Sequence, residues 1–422
     1  PHTRHPKLTI LPETAGMGPT APSAAESGQQ LSASRLAAVL ALAVMAHALY
    51  WSTRPPDMQL FLEPWFAHIV RYGPTGAFAH PFSNYEPAYL YLLAAASLAH
   101  NLLAPMAIIK LLSIGGSLFL TFAVATLLKA LGASPRLSVF TLVLPTVVIN
   151  AALLGQCDAL WVGSCVFALA VIVRGQVSRA LLWCGVAFAF KSQAIFLAPV
   201  IVGVLAGRRA QWWHWLIPPA VFIASLVPAW LLGWPAWSLL TVYPGQAALV
   251  HIPGKLANPW IAATIFADHS SRPYFIIGYV AAAGAALAIA ALASASVDNR
   301  RRLLALALLS ATALPFLLPK MLERSWLLAD VLALILALSL QTRRAAGIAI
   351  AVQAMSLLSL LTYIYWYHWP YPALGGIAIG VFALGSIIAL LRSEGAHWPS
   401  LPRMLISRPR FPRPPSAGRT AA

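Results

Sequence analysis

Thirteen apolar runs, separated by charges or turn signals, follow one another almost from end to end of this chain. They fall at about 36–51, 86–103, 105–128, 137–154, 159–173, 180–190, 194–207, 214–233, 273–296, 303–318, 326–340, 345–366 and 373–391. A helix needs about 20 predominantly apolar residues to cross a bilayer core of ~30 Å. Within that core the backbone must satisfy its own hydrogen bonds, which leaves helices or closed barrels. Of the 422 residues 60% are hydrophobic and 9% charged, against about 25% charged in soluble domains. The pattern predicts an all-α polytopic membrane protein.

The net charge of +17 would suggest nucleic acid in a soluble protein. Among apolar runs it reads instead as basic residues gathered in cytoplasmic loops, where they fix topology, so nucleic acid is not an expected partner and the lipid bilayer is. Cys157, Cys165 and Cys184 lie in or beside apolar runs without metal-ligand spacing, and suggest neither a disulfide framework nor a zinc site. Residues 1–34 are rich in Pro, Ser, Ala and Gly and read as a disordered tail. With the run 36–51 and "AHA" at 46–48 they mimic a signal peptide, but the polar part is too long for one, and a retained first helix is expected.

Arg4, Lys7 and Arg35 favour a cytoplasmic amino-terminal tail. If all thirteen runs then crossed, Lys129 with Arg136, Arg174 with Arg179, Arg208 with Arg209, Arg300 to Arg302 and Arg343 with Arg344 would all lie outside. Letting 86–103 lie in or dip into the outer face, without crossing, restores the rule. His100, Asn101, Pro87 and Pro105 permit that interruption. The expectation is therefore about twelve crossings, within a range of 11–13, over a transmembrane domain at 35–392. Outer loops fall at 52–104 and 234–272, the basic tail 393–422 is cytoplasmic, and so are both termini.

Under this topology six of the eleven acids, Asp57, Glu63, Glu86, Asp158, Asp268 and Glu323, fall on the outer side. Lys191, Lys320 and Arg324 join them. Taken singly, each has a plain explanation: Asp57 as a turn residue after Pro55-Pro56, Lys191 as a snorkelling lysine, the 320–324 charges as a topological pair. From Pro64, the residues Trp65, Ile69 and Tyr72, with Phe61 and Phe66, form an apolar stripe that predicts an interfacial helix in the headgroup layer. Tyr85, Tyr89 and Tyr91 suit an interface. Gln156 and Asp158 end one hairpin, Lys191 and Gln193 another. The outer segment 234–272 offers Tyr243, Gln246, His251, Asn258 and Trp260, side chains suited to sugar binding or to a membrane belt.

In combination and order these pieces are specific. Asp57, then "NYEP" (84–87), "GQCD" (155–158), "KSQ" (191–193), "NPW" (258–260) and "LPKMLERSW" (318–326) resemble the bacterial relatives of the GPI-anchor mannosyltransferases, in the class C glycosyltransferase superfamily. That family's pattern runs Asp, Asn-Tyr-Pro-Pro, Trp-Gly-Gln-x-Asp, Lys-x-Gln, Asn-Leu-Trp and Leu-Pro-Lys-Met-His-Glu-Arg-Tyr. The resemblance covers about residues 50–340, and the last motif is the most specific. Leu322 stands where the family has His, Ser325 for Tyr, Leu154 for Trp, Glu86 before a single Pro87, and Pro259 for Leu. These departures bear on substrate identity and on activity.

The resemblance implies a class C fold and an inverting transfer of a sugar from a polyprenyl-phosphate donor to a glycan or glycolipid acceptor. The site would face the periplasm from a bacterial inner membrane. Asp57 would be the catalytic base. Lys320, Arg324 and Lys191 would bind the donor phosphate; Lys320 and Arg324, spaced i, i+4, would share one cationic helical face. Glu63, Tyr85, Glu86, Gln156, Asp158, Gln193, Gln246, Asn258, Trp260 and Glu323 would hold sugar or acceptor, or support those that do. No cofactor is expected. A divalent metal would require Asp57, Asp158 and Glu63 to converge, and the histidines form no metal pair. A transporter or flippase of lipid-linked sugars, and an inactive envelope scaffold, are the competing readings.

Overall fold

The computed structural model describes residues 31–249, 256–266, 272–365 and 371–393. Among them there is no β-strand. The principal helices are α1 (Ala33–Leu49), α2 (Glu63–Tyr72), α3 (Pro87–Ser97), α4 (Pro105–Ala130), α5 (Asp158–Ile172), α6 (Val177–Phe190), α7 (Ala198–Gly207), α8 (Ile217–Leu231), α9 (Arg272–Ser294), α10 (Arg300–Leu317), α11 (Leu327–Leu340), α12 (Arg343–Tyr365) and α13 (Pro372–Ser393). Proline opens several of them: Pro87, Pro105 and Pro372 are first residues of α3, α4 and α13, where the missing N–H has no intrahelical partner to lose.

Five helical stretches are long and apolar enough to cross a membrane: Pro105–Ala130, Trp212–Leu231, Ile276–Ser294, Arg343–Ile364 and Pro372–Ser393. A sixth counts if Pro135–Val143 and Pro145–Leu153, bent by 59°, form one broken span. That break divides the run 137–154 expected to cross as one, because Pro145 restricts Leu144 to an extended conformation (ψ 119°). Six shorter apolar helices accompany them. The protein is a multi-pass helical membrane protein. Helix α3 has 11 residues, about 16 Å of helix, too short to span alone. Close helix approach uses small residues: a Cβ on Gly203 or Gly207 of α7 would collide with the carbonyls of Ala290 and Ser294 on α9.

Two apolar cores result. The larger runs through the bundle of α4–α7 and α9–α13. The smaller packs Met58, Leu62, Trp65, Phe66, Ile69 and Phe78 against α3, α8 and Trp234. The helix expected to lie in the headgroups with its stripe toward lipid therefore turns Trp65, Phe66 and Ile69 inward, at 7%, 1% and 0% exposure, and leaves Phe61 and Tyr72 outside. A protein surface was available to cover that stripe, and close packing there replaces contact with lipid. Cys157 and Leu160 belong to the small core, Ala159 and Trp161 to the large one. Asp158 sits on the seam between them.

Candidate functional site

Six chain segments, carrying Asp57, Tyr85, Asn150 to Trp161, Lys191, Glu323 with Arg324, and Tyr363, meet at this seam. Asp57 is delivered by the turn 50–56, which a buried lysine fixes from behind. The ammonium of Lys110, on α4 and 0% exposed, donates to the carbonyls of Tyr50 (2.6 Å), Trp51 (2.9 Å) and Thr53 (2.7 Å) and to Thr53 Oγ1 (3.2 Å). It thereby caps the carbonyl end of α1. A π-helical turn, Met58–Leu62, follows Asp57. A second, Ile149–Leu153, precedes Gln156 and Asp158. Such turns often mark functional sites. Between the second turn and Asp158, Gly155 takes φ +65°, a left-handed turn that favours glycine, and its Cα side faces the end of the Met58 side chain.

The contacts form one connected network. Arg324 Nη1 donates to Asp57 Oδ2 at 3.0 Å and to Glu323 Oε1 at 2.7 Å, while its Nε lies 3.6 Å from Asp158 Oδ2. Gln156 Nε2 donates to Asp57 Oδ2 at 3.1 Å, and Tyr85 OH donates to Gln156 Oε1 at 2.9 Å. Asp158 accepts from Lys191 Nζ at 2.5 Å, Trp161 Nε1 at 2.9 Å and Asn150 Nδ2 at 2.7 Å. Lys191 also stands 5.1 Å over the Tyr85 ring, a favourable cation–π placement. Asp57 Oδ1 accepts from Tyr363 OH of α12 at 3.0 Å.

Exposure separates two roles. The Asp57 and Arg324 side chains are 17% and 11% exposed, Asp158 and Lys191 3% and 7%. Asp158 and Lys191 are the more deeply buried pair and order the other two. Burial opposes the Arg324 charge, but the carboxylates of Glu323, Asp57 and Asp158 outweigh it and push its pKa up. Burial likewise raises the Tyr85 phenol, against the opposing charge of Lys191.

Several expected site residues stand elsewhere. Residues 318–326 are not helical, so Lys320 and Arg324 do not share a helical face. Pro319 cannot continue a hydrogen-bonded helix, and Lys320 takes φ +61°, which turns the chain. Asn258 and Trp260, expected to hold sugar or acceptor or to support the residues that do, secure the end of α10. Asn258 Nδ2 donates to Pro315 O (3.3 Å) and Leu318 O (3.1 Å), and Trp260 Nε1 to Leu317 O (2.8 Å), satisfying carbonyls that a helix end leaves open and fixing the start of the Arg324 turn. Glu63 is bound by Arg54 Nε at 3.0 Å, not by Asp57 or Asp158. Gln246 Nε2 donates to the Asn84 carbonyl. Gln193 is half-buried and makes no hydrogen bond to the cluster among the described residues. Of the outer acids, Asp268 lies outside the described residues, as do His251 and both tails.

Tyr363, Asn150 and Trp161 belong to the site and carried no distinguishing sequence signal; Lys110, which frames it, is a lone charge in the apolar run 105–128 and did carry one. Asp330 of α11 is a further buried acid (2% exposed). Ser356 Oγ donates to its Oδ2 at 2.8 Å, and nearby on the same face of α12 Gln353 Oε1 accepts from Thr146 at 3.4 Å. A lone aspartate inside an apolar run is a signal that could have been read. No protein-family model and no curated protein matches the sequence.

Proposed function

We propose that this protein is an integral-membrane inverting glycosyltransferase that moves a sugar from a polyprenyl-phosphate donor to a lipid- or glycan-linked acceptor at the outer face. The carrying observation is the contact between Asp57 and Arg324, 267 positions apart in sequence and 3.0 Å apart in space. In this reading the chain crosses the bacterial cell membrane twelve times with both termini in the cytoplasm.

The acceptor oxygen attacks the anomeric carbon, its proton passes to a carboxylate oxygen of Asp57, and the bond from that carbon to the phosphate oxygen breaks. A positioned base contributes about 10²–10⁴-fold. Charge develops on the departing polyprenyl phosphate, where preorganised cations act most strongly. Arg324 offers its guanidinium fork. Asp57, Asp158 and Glu323 against Lys191 and Arg324 leave the cluster at −1. A phosphate there needs a further cation, and Lys320, four residues before Arg324 in the same turn, supplies it. Lys191 acts through Asp158 rather than on the phosphate.

Membranes carrying Asp57→Asn or Arg324→Ala are assayed with a radiolabelled polyprenyl-phosphate sugar. Transfer falls by about 10²-fold or more in each and persists in EDTA. Undiminished transfer in Asp57→Asn removes that residue as the base. One observation favours a second reading, translocation of a lipid-linked sugar: the acid Asp330 inside the bundle, with Ser356 and Gln353 in one stripe on α12. A translocase would lose flipping in Asp330→Leu and keep it in Asp57→Asn.

A further inference from the structure

Six consecutive residues, 84–89, hold four buried polar atoms with no hydrogen-bond partner among the described residues: Asn84 Oδ1, both carboxylate oxygens of Glu86, and Tyr89 OH. Native proteins leave only a few such atoms per 100 residues, and each needs an explanation. Glu86 is 1% exposed. It stands at the amino-terminal cap of α3, yet its side chain makes no capping bond.

Several donors near it are engaged elsewhere, and the Tyr89 hydroxyl is itself without a partner among the described residues. Tyr91 OH donates to Ser225 O at 3.0 Å and accepts from Ala229 N at 2.9 Å. Tyr243 OH donates to the Phe188 carbonyl, and Gln246 to the Asn84 carbonyl. Tyr91 and Tyr243 lie close enough to Glu86 for its charge to act on their phenols, and among the described residues no cationic side chain pairs with it. Tyr85, the residue before it, bonds Gln156, which bonds Asp57. The orphan carboxylate therefore stands one residue from the chain of contacts that ends at Asp57.

Asn84 Oδ1 and an ionised Glu86 can only accept. Their complement is a group rich in donors that also neutralises a buried carboxylate. A primary ammonium has three N–H donors and one positive charge. We propose that Glu86 binds a primary ammonium group, making this a site for an amino-bearing substrate: an amino sugar or the headgroup of an amine-bearing lipid acceptor. Only the words "sugar" and "acceptor" rest on the glycosyltransferase reading; the ammonium site does not.

The test is thermal unfolding of the full chain in detergent, titrated with glucosamine, N-acetylglucosamine, glucose and phosphoethanolamine, because a ligand that binds the folded state stabilises it. Glucosamine or phosphoethanolamine is expected to bind at least about tenfold more tightly than glucose and N-acetylglucosamine, and Glu86→Gln to weaken that binding about 10–100-fold. A response to glucosamine assigns the ammonium to a sugar; a response to phosphoethanolamine alone assigns it to a lipid headgroup. Binding that survives N-acetylation, equal binding of glucose, no binding of either amine, or full binding by Glu86→Gln overturns the proposal. The N-acetyl comparison needs no variant and stands if Glu86→Gln fails to fold. Glu86-dependent amine binding without any transfer would sink the transferase reading alone; transfer without amine preference would sink this inference alone.

Discussion

Two buried acids of this protein, Asp158 and Glu86, meet opposite circumstances. Asp158, 2% exposed, is surrounded by Lys191, Asn150, Trp161 and the Arg324 guanidinium. Glu86, 1% exposed, has no hydrogen-bond partner among the described residues. Burial disfavours the charged form of each. At Asp158 partners from three other parts of the chain offset that penalty. At Glu86 nothing does, and burial pushes its pKa up to about 8. The lesson is that a completed network fixes charges in place before any ligand arrives, whereas an uncompleted one stays neutral over much of the physiological range until a ligand supplies the missing charge.

Breaking the completed side has the largest expected effect. Asp158→Ala leaves Lys191 charged, buried and unpaired, and is expected to destabilise the fold by about 3–5 kcal/mol, read as a lowered Tm in detergent. Joint replacement of both residues by apolar ones of similar volume is expected to restore much of it. A smaller effect tests the rim of the network: Tyr363→Phe removes one hydrogen bond to Asp57, and transfer is expected to fall about tenfold with Tm nearly unchanged. The smallest effect sharpens the Glu86 side. Its folded pKa of about 8 lies above its ordinary 4.5, so the folded state binds the extra proton. Stability is then full below about 4.5 and declines as pH rises toward 8. Glu86→Gln is expected to flatten the Tm profile between those limits; an identical slope in the variant would place the pH dependence elsewhere.

How much of this was legible differs from residue to residue. Asp57, Gln156, Asp158, Glu323 and Arg324 stand out in sequence through their combination and order, which resemble a known family's motifs, since Asp57 and the charges at 320–324 each have a plain structural explanation when taken singly. Tyr363 escaped because it lies within the run 345–366, where a tyrosine is an ordinary apolar filler until its hydroxyl has an address. Lys110, a lone charge in the apolar run 105–128, was a readable signal, but its partners were not. On sequence it is one charge in α4, and only the fold shows that three carbonyls surround it. The helical pairing of Lys320 with Arg324 failed locally: i, i+4 spacing implies a shared face only if the backbone is helical, and Pro319 with the left-handed Lys320 ends that condition. Asn258 and Trp260 looked like sugar ligands because the same donors that bind hydroxyls also bind the open carbonyls at the end of α10.

Sequence alone determined that this chain is helical and embedded in a membrane, since a backbone in hydrocarbon must satisfy its hydrogen bonds within helices or closed barrels and most of these apolar runs are longer than the ~9–11 residues of a barrel strand. It also supplied the roster of unusual side chains. Tertiary structure decided which of them meet. Contact between residues 57 and 324 depends on the packing of helices in between, and whether a buried acid is answered or left alone depends on which neighbours that packing brings within about 3 Å.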